Sequence, residues 1–195
     1  IRVGSVVLAT GWKPYEAEKL GHLGYGNCEN VITNIQMEDM AMKDDFKRPS
    51  DGKEPESIAF IQCAGSRDKD HLPYCSTVCC RVSLKQAMYL REKYPNAKIF
   101  IIYKDIRTPA QFEAFYARVQ EDDNIFFTKG EIVEVAEDSD KGVLVDVDET
   151  LLGEKIQVKA DMVVLATGMV PSTKVEGVAG FIDEGGEAFG PPKTA

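Results

Sequence analysis

No apolar run in this chain approaches the ~20 residues a helix needs to cross a bilayer. The longest candidates, Val6–Ala9 and Met162–Ala166, are only strand-sized, so direct membrane insertion is not expected. Basic charge is also short: 23 lysines and arginines against 32 aspartates and glutamates give a formal net charge of −9. That balance argues against nucleic acid or an anionic membrane surface as a direct partner. No G-x-G-x-x-G occurs, which removes the usual glycine turn for a dinucleotide pyrophosphate. No C-x-x-C occurs either, which places a redox dithiol third, behind a metal site and structural disulfides. His22 and His71 are the only histidines. Neither a Ser/His/Asp arrangement nor paired carboxylates stand out, and hydrolysis has no sequence support. Nothing resembles a secretory leader, which favours a reducing cytoplasm over structural disulfides. The chain opens at Ile1 without an initiator methionine, and we expect a piece of a longer protein.

What the chain does have is a dense cysteine block. Four of its five cysteines, Cys63, Cys75, Cys79 and Cys80, form the pattern C-x11-C-x3-C-C directly after the buried-looking strand Ser57–Gln62. Thiolates are soft metal ligands, and four together suit zinc or an iron–sulfur cluster. A helix starting near Cys75 would put Cys75 and Cys79 on one face with Cys80 a quarter-turn round, and Cys63 would close the set from the strand end. The competing reading is that free cysteines are small hydrophobes buried without chemistry. Cys28 stands apart and reads as structural.

The rest of the pattern is α/β. Ser57–Gln62 and Lys98–Tyr103 read as buried strands. Apolar residues at Val78, Val82, Leu84, Ala87, Met88 and Leu90 mark a helix over Ser76–Lys93, ended by Tyr94-Pro95-Asn96. Pro109 opens a second helix over Gln111–Glu121, followed by a short strand Asn124–Thr128. This β-α-β-α-β order implies parallel pairing. Gly130–Ala136, Gly142–Val147 and Lys155–Val158 then read as an antiparallel three-stranded meander. Residues 36–56 read as a connector and the tail from Gly180 as poorly ordered. One six-residue string occurs twice, Val6–Gly11 and Val163–Gly168, with a proline three positions beyond each copy. A strand ending in Ala-Thr-Gly suits a place where backbone passes close to a flat cofactor. Thr10, Gly11, Thr167 and Gly168 are therefore candidate cofactor-binding residues. Lys104 and Arg107 read as surface charges.

A parallel unit and a meander flanked by two Ala-Thr-Gly strands resemble the thioredoxin reductase type of flavoprotein, in which a Rossmann-like domain is inserted into a split FAD domain. On that resemblance, residues 1–50 are the end of a first FAD-domain segment plus connector. Residues 57–160 are the inserted Rossmann-like domain with the cysteine block, and 161–195 return into the FAD domain and a tail. The segments Phe60–Asp68, Tyr74–Cys80 and Tyr103–Arg107 are similar to the A subunit of heterodisulfide reductase. They most resemble its relatives in the quinone-interacting membrane-bound oxidoreductase complex of sulfate reducers.

That resemblance implies an electron-transfer subunit of an oxidoreductase. It implies a [4Fe–4S] cluster on Cys63, Cys75, Cys79 and Cys80, FAD in the full-length protein, and partner subunits in a redox complex. The location implied is cytoplasmic, at the periphery of the inner membrane through those partners. The chain departs from a nicotinamide domain at Gln62–Arg67, where the phosphate-cradling glycine turn is replaced by Cys63 and Arg67. Two other readings stay open: a docking domain holding structural zinc or free thiols, and an NAD(P)H-binding reductase domain.

Overall fold

The computed structural model describes Val7 and residues 9–172. In chain order the elements are β1 (Trp12–Pro14), a 3-10 segment Ala17–Leu23, β2 (Val31–Thr33), α1 (Asn34–Lys43), β3 (Ser57–Ala64), α2 (Cys79–Lys93), β4 (Lys98–Tyr103), α3 (Phe112–Gln120), β5 (Ile125–Glu137), β6 (Val143–Glu149), β7 (Glu154–Ala160), β8 (Met162–Thr167) and β9 (Met169–Pro171). They fall into two units, Glu16–Gly168 and a small one that combines the chain up to Tyr15 with the chain from Met169. In the small unit, β1 and β9 form an antiparallel ribbon with Trp12 opposite Pro171.

The larger unit is built on a seven-stranded sheet in the order β2-β8-β3-β4-β5-β6-β7. The pairs from β2 to β5 are parallel and the last two are antiparallel. This is the expected α/β architecture, a Rossmann-like parallel sheet with a meander. Strands β3 and β8 are apolar on both faces because both faces are covered. Ile58, Phe60, Ile99, Ile101, Met162 and Val164 face the helices and pack with Met37 of α1, Leu84 and Leu90 of α2 and Val119 of α3. The alternate residues Ala59, Ile61, Val163 and Leu165 are buried too, as are Val143, Val145 and Val158 of the meander, and β7 packs back against β3. Each fully buried leucine or isoleucine contributes about 1.5–3 kcal/mol.

Two expectations change. Residues 36–56 are not a plain connector, because α1 occupies Asn34–Lys43. A capping box starts it: the Gln36 N–H donates to Thr33 Oγ1 at 3.2 Å and the Thr33 N–H donates to Gln36 Oε1 at 2.8 Å. The third parallel strand and the first meander strand are one element, β5, whose residues Ile125–Lys129 pair with β4 and whose continuation pairs with β6. At the changeover, a Cβ on Gly130 would lie 2.6 Å from the Asp148 carbonyl oxygen, so a side chain has no room there. The larger unit runs from Glu16 to Gly168, with β8 hydrogen-bonded between β2 and β3 inside its sheet.

Residues 44–56 are pinned by charge. Arg48 is buried and reaches Asp161 Oδ1 at 3.2 Å and the Asp140 carbonyl at 2.8 Å. Asp161 Oδ2 also accepts from the Glu56 and Ser57 N–H groups at 2.8 and 2.9 Å. Of the first Val-Val-Leu-Ala-Thr-Gly copy, Val6 and Leu8 lie outside the described residues, as does the tail from Gly180, and Ala9, Thr10 and Gly11 are exposed and outside any strand.

Candidate functional site

The four clustered cysteines meet at the carboxyl end of the parallel strands, where β3 has β4 on one side and β8 on the other. In open α/β sheets that crevice is where ligands bind. Cys63 is the penultimate residue of β3. The β3–β8 register slips between Ile61 and Ala64, and Cys63 has a φ of 58°. An irregularity of this kind re-aims a side chain, as bulges beside functional sites commonly do.

The chain then folds back on itself. Leu72 N–H donates to the Gly65 carbonyl at 3.0 Å and Arg67 N–H to the Tyr74 carbonyl at 3.0 Å, bringing Cys75 back toward Cys63. Gly65, Arg67 and Thr77 all take left-handed φ values of 70°, 57° and 61°. The turn at Thr77 is why α2 begins at Cys79 and not near Cys75 as expected. Cys75 therefore lies in the loop, its sulfur accepting from the Thr77 N–H at 3.3 Å, while Cys79 and Cys80 open the helix.

The two vicinal thiols point to different strands. Cys79 Sγ lies 3.4 Å from the Thr167 carbonyl at the end of β8, and Cys80 Sγ lies 3.8 Å from the Asp105 carbonyl just beyond β4. Burial, then repulsion from Cys63, Cys80 and Cys75, pushes the Cys79 thiol up to about 12. Burial, followed by Cys80, raises the Cys63 thiol, against a downward pull from Arg67. Burial also raises Cys80, opposed by the Arg107 N–H. The mutual repulsion puts all four sulfurs in one neighbourhood, and ionising them together requires a compensating positive group. Among the described residues, no three His, Cys, Asp or Glu side chains converge on a single-ion site.

The structure also adds residues whose part was not read from the sequence. Arg67 Nη2 pairs with Asp105 Oδ2 at 2.7 Å, joining the cysteine loop to the segment after β4. Ser66 is buried and its hydroxyl has no partner among the described residues. A Cβ on Gly168 would lie 2.1 Å from Ser66 Oγ and 2.8 Å from Ser76 Oγ, so the missing side chain there makes room for the cysteine loop. Thr167 is buried and its hydroxyl donates to Asn34 Oδ1 at 2.7 Å. Thr10 and Gly11 belong to the small unit, where Gly11 has a φ of 75° and its carbonyl accepts from Ser172 N–H at 3.0 Å. Lys104 pairs with Glu131 at 2.9 Å, and the rings of His22 and His71 stack at 5.4 Å.

No family model matches the chain. It is 41% identical over 177 residues to the second iron–sulfur A subunit of CoB–CoM heterodisulfide reductase in Methanopyrus kandleri, with 87% of this chain and 27% of that protein aligned. It is 39% identical over 199 residues to the A subunit of the H2/formate:CoB–CoM heterodisulfide,ferredoxin reductase of Methanococcus maripaludis, with 97% and 30% aligned. The chain therefore spans less than a third of the length of these relatives. Among solved structures, thioredoxin reductase of Lactococcus lactis superposes over 90% of this chain and 48% of its own with a TM-score of 0.55 at 18% identity, a likeness of fold alone.

Proposed function

The chain is homologous over most of its length to part of the heterodisulfide reductase A subunit, and from that premise we propose that it is the segment of an electron-transfer oxidoreductase in which Cys63, Cys75, Cys79 and Cys80 hold a [4Fe–4S] cluster. The observation that carries the reading is the meeting of those four thiols at the carboxyl ends of β3 and β8, where a nicotinamide domain would hold phosphate. The donor chemistry fits: four cysteine sulfurs, none in a disulfide, are the ligand set an iron–sulfur cluster takes. The two Methanopyrus kandleri relatives are named as iron–sulfur subunits, which agrees with it.

When bound, such a cluster supplies one-electron storage. The chain's own residues hold it in place and shield it. The start of α2 directs its N-terminal dipole at Cys79 and Cys80, which favours their thiolates. Burial of both cysteines keeps water from their sulfurs, and Arg67 sets a guanidinium beside Cys63. FAD belongs to the longer protein in this reading. No glycine fingerprint for its pyrophosphate occurs in the chain, and Thr10 and Gly11 are the exposed candidates to meet the flavin. Partner subunits would deliver and accept the electrons. None of the described helices is long and apolar enough to cross a membrane, so membrane association would come through partners, as in a quinone-linked complex.

The test is iron and acid-labile sulfide per chain in the full-length protein purified anaerobically. The segment is expected to add about four iron atoms, lost in Cys79→Ser. Stoichiometric zinc in place of that iron would overturn the reading in favour of a structural site. Nicotinamide binding in a titration would favour a reductase domain instead.

A further inference from the structure

We propose that Arg67 is a positioning residue that fixes a positive charge against the four-cysteine site and so sets the reduction potential of the cluster held there. The inference rests on the cluster reading above and concerns a residue outside the ligand set. Arg67 lies four positions after Cys63, and its backbone N–H is bonded to the Tyr74 carbonyl, one residue before Cys75. It is thereby locked between two of the ligands. It takes a left-handed φ of 57°, a conformation a non-glycine side chain adopts at a cost. The neighbouring Ser66–Leu72 bridge holds the loop in that shape.

The side chain is anchored as firmly as the backbone. Asp105 Oδ2 takes Nη2 at 2.7 Å, and the positive charge of the guanidinium pulls the Cys63 thiol downward against its burial. Nη1 is buried with no partner among the described residues. A guanidinium carries five donors, and a buried one left over is a donor still to be used. Bridging or ligand sulfur of a cluster at this site would be its acceptor. Other charged groups near the cysteines are less well placed. Arg107 acts on Cys80, but its side chain is 48% exposed against 25% for Arg67, so solvent screens it more. Arg81 is turned to the Thr77 carbonyl at 3.2 Å and the Phe112 ring.

Reduction by one electron adds a negative charge, and a fixed cation beside the sulfurs stabilises the reduced state. Hydrogen bonds to the sulfurs and net local charge are the protein's usual means of raising a cluster potential. Arg67 therefore holds the potential above the value the four thiolates alone would give, and Asp105 partly offsets it.

The test uses the full-length protein, anaerobically purified, with iron and sulfide content measured first and an EPR-monitored redox titration second. Arg67→Gln should keep the iron and move the midpoint to a more negative potential, with Arg67→Lys recovering most of the shift. Arg107→Gln should move it far less. Asp105→Asn, which removes the offsetting charge, should move the midpoint the opposite way. An Arg67→Gln protein with full iron and an unchanged midpoint would overturn the proposal. If Arg67→Gln fails to assemble, Asp105→Asn decides: a positive shift supports the role, and no shift overturns it. A wild-type protein with no cluster at this site overturns both this inference and the functional reading beneath it, whereas iron without a shift overturns this one alone.

Discussion

Gly168→Ala tests the packing that brings the cysteine loop onto the end of β8. The added methyl would sit 2.1 Å from Ser66 Oγ, 2.8 Å from Ser76 Oγ and 3.1 Å from Leu72 Cδ1, all three from the loop. Ser66 is only 2% exposed, so its hydroxyl cannot simply swing into solvent. Forcing a methyl into a closed site costs about 1–3 kcal/mol, and a contact this short argues for about 3. Ser66→Ala alone should be nearly neutral, because the hydroxyl it removes is buried with no partner among the described residues. In that background the shortest clash disappears and the cost of Gly168→Ala should fall to about 1 kcal/mol, a coupling of about 2 kcal/mol between the two sites. Urea denaturation reads this directly: with a slope of about 2 kcal/mol/M, the single Gly168→Ala change lowers the midpoint by about 1.5 M. Gly11→Ala serves as a contrast, since its Cβ would meet nothing within 4 Å and only its left-handed φ is penalised. Strictly additive effects of Gly168→Ala and Ser66→Ala would refute the close approach on which the argument depends.

Other outcomes follow from the same geometry. Leu84→Ala, at a fully buried α2 position, should cost about 2–5 kcal/mol in the same denaturation assay. Asp161→Ala removes the carboxylate that meets Arg48, Glu56 and Ser57 and should cost about 2 kcal/mol, since the buried Arg48 keeps Asp51 at 3.3 Å but loses a charged hydrogen bond, and two backbone N–H groups lose their acceptor. Thr33→Ala breaks the capping box of α1 and should lose about 1 kcal/mol, with faster amide exchange in the first turn of that helix. Burial pushes the Asp122 carboxyl up, but hydrogen bonds from Arg91 and the Asn124 N–H outweigh it and hold it below the usual range. Its stabilisation is therefore present above the unfolded carboxylate value of ~3.9 and is lost as pH falls through the lowered one. Acid titration of stability should show that loss in the wild type and not in Asp122→Asn.

Much of the fold was legible because burial on both faces leaves long apolar strands: β3, β4 and β8 all stand out as such runs. The body of α2 was legible from Leu84, Ala87 and Leu90, all fully buried. Helix α1 was not, because Asn34 and Met37 are its only buried residues and its polar face looks like a linker. The Thr33-x-x-Gln36 box was the signal that could have found it. Strand β2 is three residues long and becomes a strand through pairing with β8, a partner more than a hundred residues away. The cysteine block stood out by its spacing, but the start of α2 was not legible, since it turns on the left-handed φ of Thr77. Arg67 was noticed as an occupant of the glycine-turn position, yet its pairing with Asp105 joins loops after two different strands, and nothing local encodes that. The doubled Val-Val-Leu-Ala-Thr-Gly string shows the limit most clearly: Val163–Leu165 are fully buried, whereas Val7 in the other copy is 89% exposed.

The adjacent pair at the head of α2 behaves as a caliper. Successive helical residues diverge by about 100°, so Cys79 reaches toward Thr167 on one side of β3 while Cys80 reaches toward Asp105 on the other. Turning the helix about its axis to relax one jaw would close the other. The helix's rotational setting is thus gauged at its tip, and the same setting aims Leu84 and Leu90 into the core below.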